Sequence, residues 1–295
     1  MQIIDNSIIM KRLKFSSYKE KSLLFLALCI AFEFNATAQS TQYKENTEIG
    51  VIGGVSYYLG DLNTTHFFQP SPAAGLVVRK NIDNRFSYKA EVLSLPLQSD
   101  ERDSKDTIAF NRGLHFRSSV FELSGQLEFN FLPYESGNPL YTWTPFIYTG
   151  ISIFHHNPQA ENINGEWVNL QELGTEGQES TMHPERKGYS LIQFAIPMGG
   201  GVKIAVNKSF NIILEYGARK TFTDYLDDVS TTYVKDSPPE WPLSGAGDVW
   251  DLSDPNNRPY PFEKERGDPD KKDWYSFAGI TLSFKLNNNT KGCDY

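Results

Sequence analysis

Five histidines, His66, His115, His155, His156 and His183, are the first place to look for chemistry in this chain. A histidine activates a serine as general base when an orienting acid holds its far ring nitrogen, and that arrangement transfers acyl groups. No compact motif here sets a serine and an acid beside any of the five. His155 and His156 cannot share one metal ion from a strand, because neighbouring side chains there point to opposite faces. The acidic run from Asp248 through Asp251 to Asp254 and the cluster Asp268, Asp270 and Asp273 offer oxygen ligands of the kind Ca²⁺ takes. Neither follows the helix–loop–helix calcium template, and both read as solvated acidic loops. Gly199-Gly200-Gly201 opens no helix, so it does not cradle phosphate; glycines inside a strand mark a bend or the close approach of a neighbouring side chain. Nothing in these patterns assigns a catalytic residue, a metal ligand or a cofactor, and the chain reads as no enzyme.

The charges that remain fall at a telling spacing. In 118–131, Ser118, Val120, Glu122, Ser124, Gln126, Glu128 and Asn130 take one face of a strand, and Ser119, Phe121, Leu123, Gly125, Leu127, Phe129 and Phe131 take the other. An apolar face opposite one with two glutamates needs hydrocarbon on one side and polar partners on the other, which a membrane-spanning barrel strand supplies. The same period-two sorting recurs over 190–206, 210–222 and 274–286, and more weakly over 48–59, 72–82, 85–97 and 141–155. Each stretch reaches the roughly 9–11 residues that a tilted strand needs to cross a bilayer. The fold predicted is therefore all-β, an eight-stranded antiparallel transmembrane barrel of the outer-membrane type.

The connections alternate in length. Residues 82–85, 132–140 and 207–209 are short, whereas 60–71, 98–117, 156–189 and 223–273 are long. Short periplasmic turns and long extracellular loops are the habit of such barrels, and with the N-terminus inside every long connection lands outside. The inward set then holds Arg79, Lys89, Glu91, Glu122, Glu128, Lys203, Glu215 and Arg219, four bases against four acids. An interior of eight strands is just wide enough for side chains to fill. Balanced charge predicts a plugged, ion-paired lumen rather than a selective pore, which would line a constriction with one sign.

Composition agrees. The 295 residues carry a formal net charge of −8 and a mean hydropathy of −0.43. That hydropathy is compatible with a barrel, since only one face of each strand meets lipid. No run of 18 apolar residues occurs, which excludes helical spans. Aromatic residues are 14% of the chain, and Tyr57, Tyr58, Phe86, Tyr141, Trp143, Phe222, Trp274 and Tyr275 near strand ends suit interfacial girdles. Residues 223–273 hold thirteen Asp/Glu against six Lys/Arg, and no basic stripe is available to meet phosphates, so nucleic-acid binding is not expected. In this acidic loop Asp227 and Asp228 are candidates for ordering the chain, by accepting backbone N–H groups or by meeting Arg219.

The first 38 residues read as a secretory signal: Lys11, Arg12, Lys14, Lys19 and Lys21 precede the apolar stretch from Ser22 to Phe34. Ala36-Thr37-Ala38 is the cleavage pattern, so the mature chain is expected to begin at Gln39; Met10 is an alternative start to Met1. Leu28 stands before Cys29 where a lipoprotein signal wants a small residue, and after cleavage Cys293 alone remains, so no intrachain disulfide is expected. The organisation expected is a signal peptide at 1–38, a short segment at 39–47, the barrel at 48–286 and a tail at 287–295.

Three strings go beyond general barrel grammar. Glu48-Ile49-Gly50-Val51-Ile52-Gly53-Gly54, continuing to Asn63, resembles the opening of a Bacteroidetes outer-membrane barrel family that includes PorG of the type IX secretion machinery. Arg219 to Tyr233 resembles that family's exit from strand seven, and Asp273 to Thr281 its final strand. Gly279, Leu282 and Phe284 resemble the insertion signal read by the barrel-assembly machinery. The resemblance implies a non-catalytic outer-membrane barrel that docks periplasmic ring proteins like PorK and PorN, and it implies no catalytic residues. Two other readings come from the residues themselves. One is an outer-facing binding protein using the aromatic and acidic loops with Trp167, Trp241, Trp250 and Tyr260. The other is an outer-membrane lipid-modifying enzyme using a loop histidine.

Overall fold

The computed structural model describes residue 43 and residues 45–178, 183–233, 252–256 and 264–286. The signal segment, Cys293, Trp241, Trp250, Tyr260, Asp248 and the tail lie outside the described residues. Eight long strands form a ring: β1 (Asn46–Leu59), β2 (Ser71–Asn81), β3 (Phe86–Asp100), β4 (His115–Asn130), β5 (Trp143–His155), β8 (Ile192–Ala205), β9 (Phe210–Thr221) and β10 (Trp274–Leu286). Consecutive ring members pair antiparallel, β3 with β4 included, and the pairing of β1 with β10 closes the circle. The molecule is a closed eight-stranded antiparallel β-barrel, so these strands present no free edge.

Period two decides which side chains go where. On β4, Val120, Glu122, Ser124, Gln126 and Glu128 are buried while Phe121, Leu123 and Leu127 are exposed. Around the ring the greasy face is the outer one: Leu76 is 63%, Phe194 63% and Ile151 75% exposed. Arg79 and Arg219 are 0% exposed. This is a water-soluble protein's distribution turned inside out. Inner-rim aromatics pack along it in tilted or edge-on pairs, with Phe86 against Phe129 at 5.3 Å, Phe129 against Phe131 at 5.4 Å and Phe210 against Phe284 at 5.0 Å.

Three of the expected girdle residues are elsewhere. Tyr58 and Tyr275 share the parity of the lumen residues and are wholly buried. Tyr57 faces outward but lies under the first long connection, where Phe67 packs 4.8 Å from its ring and His66 Nδ1 is 3.0 Å from its hydroxyl. Strand propensity and period two also gave no sign of β6 (Pro158–Glu161) and β7 (Trp167–Asn169), a small hairpin that pairs with the outer end of β4 at Arg117 and Ser118. Two short helices, Thr107–Arg112 and Leu170–Leu173, add to the outer connections, each ending on a left-handed glycine, Gly113 and Gly174.

The glycines of β8 make room. A Cβ on Gly199 would lie 2.7 Å from Tyr148 Oη, and one on Gly217 of β9 only 1.9 Å from it. At the triplet itself the nearest atoms are neighbouring-strand backbone, Tyr216 O at 2.3 Å from a Cβ on Gly199, Phe146 O at 2.6 Å from one on Gly200 and Leu214 O at 1.9 Å from one on Gly201, with the inward Tyr148 adding to the crowding at Gly199.

Candidate functional site

Strand parity sends all eight predicted charges into the barrel, where each is at most 5% exposed. They sort by height into three linked groups. Nearest the inner end, Glu128 receives Arg79 Nε at 2.8 Å and Lys203 Nζ at 2.5 Å. In the middle, Lys89 lies between Glu91 at 2.8 Å and Glu215 at 3.2 Å, with its ammonium 4.3 Å from the Tyr148 ring centre. Toward the outer end, Arg219 pairs with Glu122 at 3.3 Å, and Tyr275 donates its hydroxyl to the same carboxylate at 2.5 Å. Isolated ions would be costly in this interior, and charge pairing with added hydrogen bonds is what makes their burial tolerable.

One member of the network was missed in the sequence. Glu48 is 1% exposed, takes Arg79 Nη1 at 3.3 Å, and accepts from Asn81 Nδ2 at 2.8 Å and Ser283 Oγ at 2.9 Å. Glu48 opens the stretch 48–59 and lies in the ladder opposite Arg79, within a strand that starts at Asn46. The lumen therefore holds five acids with four bases, and the signal was available in the shared parity of Glu48, Ser56 and Tyr58.

The inner mouth is crossed by the connection after β4. Ser136 Oγ and Asn211 Oδ1 are 2.8 Å apart, Tyr134 N donates to Asn84 O at 3.0 Å, and the side chains of Tyr134 and Ser136 are buried. Its tip stays outside, with Leu140 82% exposed.

The outer mouth is closed by a cap of the long connections, and here the loop candidates appear. Asp227 and Asp228 are buried: Asp227 Oδ1 accepts Val229 N at 3.0 Å, and Asp228 accepts from Tyr189 Oη at 2.7 Å and from Thr175 Oγ1. Neither carboxylate takes Arg219 as its partner, which Glu122 on β4 already engages; the guanidinium near Asp228 is Arg266, donating to its carbonyl at 2.5 Å. Asp228 has φ of 67°, a left-handed conformation that Asp tolerates better than most residues. Sequence reasoning missed the two arginine hubs. Arg266 Nη1 binds Glu176 at 3.0 Å, and Glu176 accepts from the backbone N–H groups of Ser230 and Thr231 at 2.9 Å each. Arg112 pairs with Glu101 and donates to the carbonyls of Arg266 at 2.6 Å and Asp61 at 2.9 Å, so three connections meet at one side chain. Nothing local in the sequence could reveal pairs separated by 90 and 154 positions.

The acids of this cap hold protons unusually well. Burial pushes Asp61, Asp224 and Asp228 up to about 6. Burial also raises Asp227 and Asp273 well above the ordinary aspartate range, and the proximity of Asp227 adds to the rise at Asp273. Tyr58 Oη lies within hydrogen-bond reach of both, 2.9 Å from Asp273 Oδ1 and closer to Asp227 Oδ2. A phenol has one proton to give, so the second short contact requires a proton on a carboxyl. His115 Nε2 accepts from Glu161 N at 3.0 Å, His183 Nδ1 lies 3.2 Å from Glu185, and burial lowers His156 to about 4. Among the described residues no group of three or more His, Cys, Asp or Glu is arranged to hold a metal ion; Asp273 is taken up by Tyr58 and by Leu226 N.

A family model described as a domain of unknown function, DUF6089, matches residues 21–236. The chain belongs to the DUF6089 family. The match runs through β9, and β10 lies beyond it. No curated protein is significantly similar to this sequence. Among solved structures, the chain is similar to Neisserial surface protein A (NspA) at 6% identity over 81% of this chain and 97% of that one, with a TM-score of 0.40. It is similar to the N-terminal barrel domain of Pseudomonas aeruginosa OprF at 10% identity over 83% and 100%, with a TM-score of 0.36. Ail of Yersinia pestis is similar at 8% identity over 83% and 99%, with a TM-score of 0.35.

Proposed function

We propose that this DUF6089 barrel resides in the outer membrane and works as a non-catalytic anchor, not a conduit. The observation that carries this reading is the inverted surface: an exposed apolar wall around a lumen whose charges are buried and paired. Hydrocarbon is the solvent that such a wall fits. A lumen crossed by ion pairs and closed by a turn at one end and a cap at the other supports a plug. Export by the general secretory route, with cleavage near Ala38 and insertion by the barrel-assembly machinery, belongs to the same proposal.

The finer part rests on the resemblance of 48–63, 219–233 and 273–281 to the PorG-containing family. On that reading the inner face docks ring proteins like PorK and PorN in type IX secretion. The inner turn offers exposed Leu132 and Leu140, with Lys208 and Lys285 beside it. A stable interface of about 1,200 Å² or more exceeds what one turn provides, so such docking would need the segments flanking the barrel or additional subunits. The test is recovery of tagged mature protein from outer membranes in mild detergent, followed by identification of the co-purifying chains. Periplasmic ring proteins should be recovered, and fewer of them with Leu140→Glu. Recovery of the barrel alone, under conditions that keep other envelope complexes intact, would overturn the docking role.

A further inference from the structure

The outer wall is apolar, and the charged or titratable Asp, His, Lys and Arg side chains that face outward from the eight ring strands stand near strand ends: Lys80 at the inner end, and Asp100, His115, Arg117, His155 and Lys220 at the outer end. Lys80 is at the inner end of β2, and the wall beside it is indented. The register aligns Val78, Ala90, Gly125 and Ile151 in one row across β2, β3, β4 and β5, and Lys80, Tyr88, Leu127 and Thr149 in the row nearer the inner rim. Ala90 and Gly125 are small where their neighbours are large. The result is an open groove of about 690 Å³, floored by these two, walled by Val78, Leu127 and Ile151, with Tyr88 and Lys80 at its inner end. Gly125 leaves real space here, since a Cβ on it would meet nothing within 4 Å.

We infer that this groove holds one acyl chain of an anionic glycerophospholipid from the periplasm-facing leaflet, with its phosphate against Lys80. The inference rests on the membrane reading above and on the assignment of the short turns to the periplasm. An unfilled indentation loses dispersion contacts along its lining, and on this wall hydrocarbon is the material at hand to fill it. Lys80 supplies charge complementarity at the correct end. Its ion pair with Glu45, at 2.9 Å, is half exposed and therefore weak enough to yield to a phosphate. Tyr88 is 60% exposed and stands one strand away from Lys80, where an amphipathic ring meets the glycerol region.

The test uses full-length mature protein inserted into vesicles of equal parts phosphatidylethanolamine and phosphatidylglycerol, then released in mild detergent for native mass spectrometry. The protein should retain one phosphatidylglycerol in preference to phosphatidylethanolamine. Gly125→Leu should cut retention about ten-fold by occupying the space of roughly two chain methylenes. Lys80→Gln should keep a lipid but lose the headgroup preference. Gly53→Leu, at an outward position of β1 that is equally free of neighbours, should change neither. Equal retention by the parent and Gly125→Leu, or no headgroup preference in the parent, would overturn the site while leaving the membrane reading intact. A second protein copy retained in place of lipid would overturn it in favour of self-association. Failure of the parent to insert, seen as loss of the mobility shift between unheated and boiled samples, would overturn the membrane reading and the site together.

Discussion

At the scale of single residues, the lumen behaves as one network because Glu128 serves three cations. Arg79 and Lys203 touch it directly, and Lys89 stands 3.7 Å away. Removing its charge leaves those cations short of a partner in a dry interior, a situation that costs about 3–5 kcal/mol in comparable cases. Glu128→Gln should therefore lower the denaturant midpoint of the refolded barrel strongly. Lys80→Gln, which breaks only the half-exposed pair with Glu45, should cost less than about 1 kcal/mol. Equal effects from the two would show that the lumen is far wetter than its packing indicates. Asp228 makes a second residue-scale case. Asn keeps an acceptor for Tyr189 and tolerates φ of 67°, whereas Val does neither. Asp228→Asn should leave the cap's protease resistance within about two-fold of the parent, and Asp228→Val should abolish it.

At the scale of elements, the strands were legible and the cap was not. A period of two is a local property, so 118–131 announced both its faces without reference to any partner. The alternation of short and long connections likewise followed from counting. The cap depends on pairs such as Glu176 with Arg266 and Tyr58 with Asp227, whose members lie in different connections. Sequence reading offers Asp227 and Asp228 two kinds of partner, backbone N–H groups or Arg219; Asp227 accepts Val229 N, and Arg219 pairs with Glu122 across the barrel, a partner that no local pattern could supply. The hairpin β6–β7 escaped for a related reason: three or four residues are too few to show a period. The cap also carries a pH dependence. Asp61, Asp224 and Asp228 titrate near 6 in the folded cap, above the ordinary range for aspartate, so the cap binds protons more tightly than the unfolded loops do. A raised folded-state value contributes stability that is present in acid and lost as pH climbs through about 6. Limited proteolysis, normalised at each pH to an unfolded substrate, should cut the outer connections faster at about pH 8 than at about pH 5. A flat or opposite profile would remove the proton-holding account of the cap.

At the scale of the whole molecule, the closed ring, the apolar wall and the filled lumen answer one another. Closure pairs the strands' backbones around the ring, the apolar wall is one that hydrocarbon would fit, and the ion pairs occupy the space a channel would need. The central claim is that this barrel anchors and does not conduct. The most direct test is the ionic conductance of planar bilayers holding the inserted protein, with insertion shown independently by the heat-dependent mobility shift. The account predicts an unchanged baseline, with no stable open-channel steps across the voltage range. Reproducible steps that scale with salt would show a continuous water path past Glu128 and Lys89 and would contradict it.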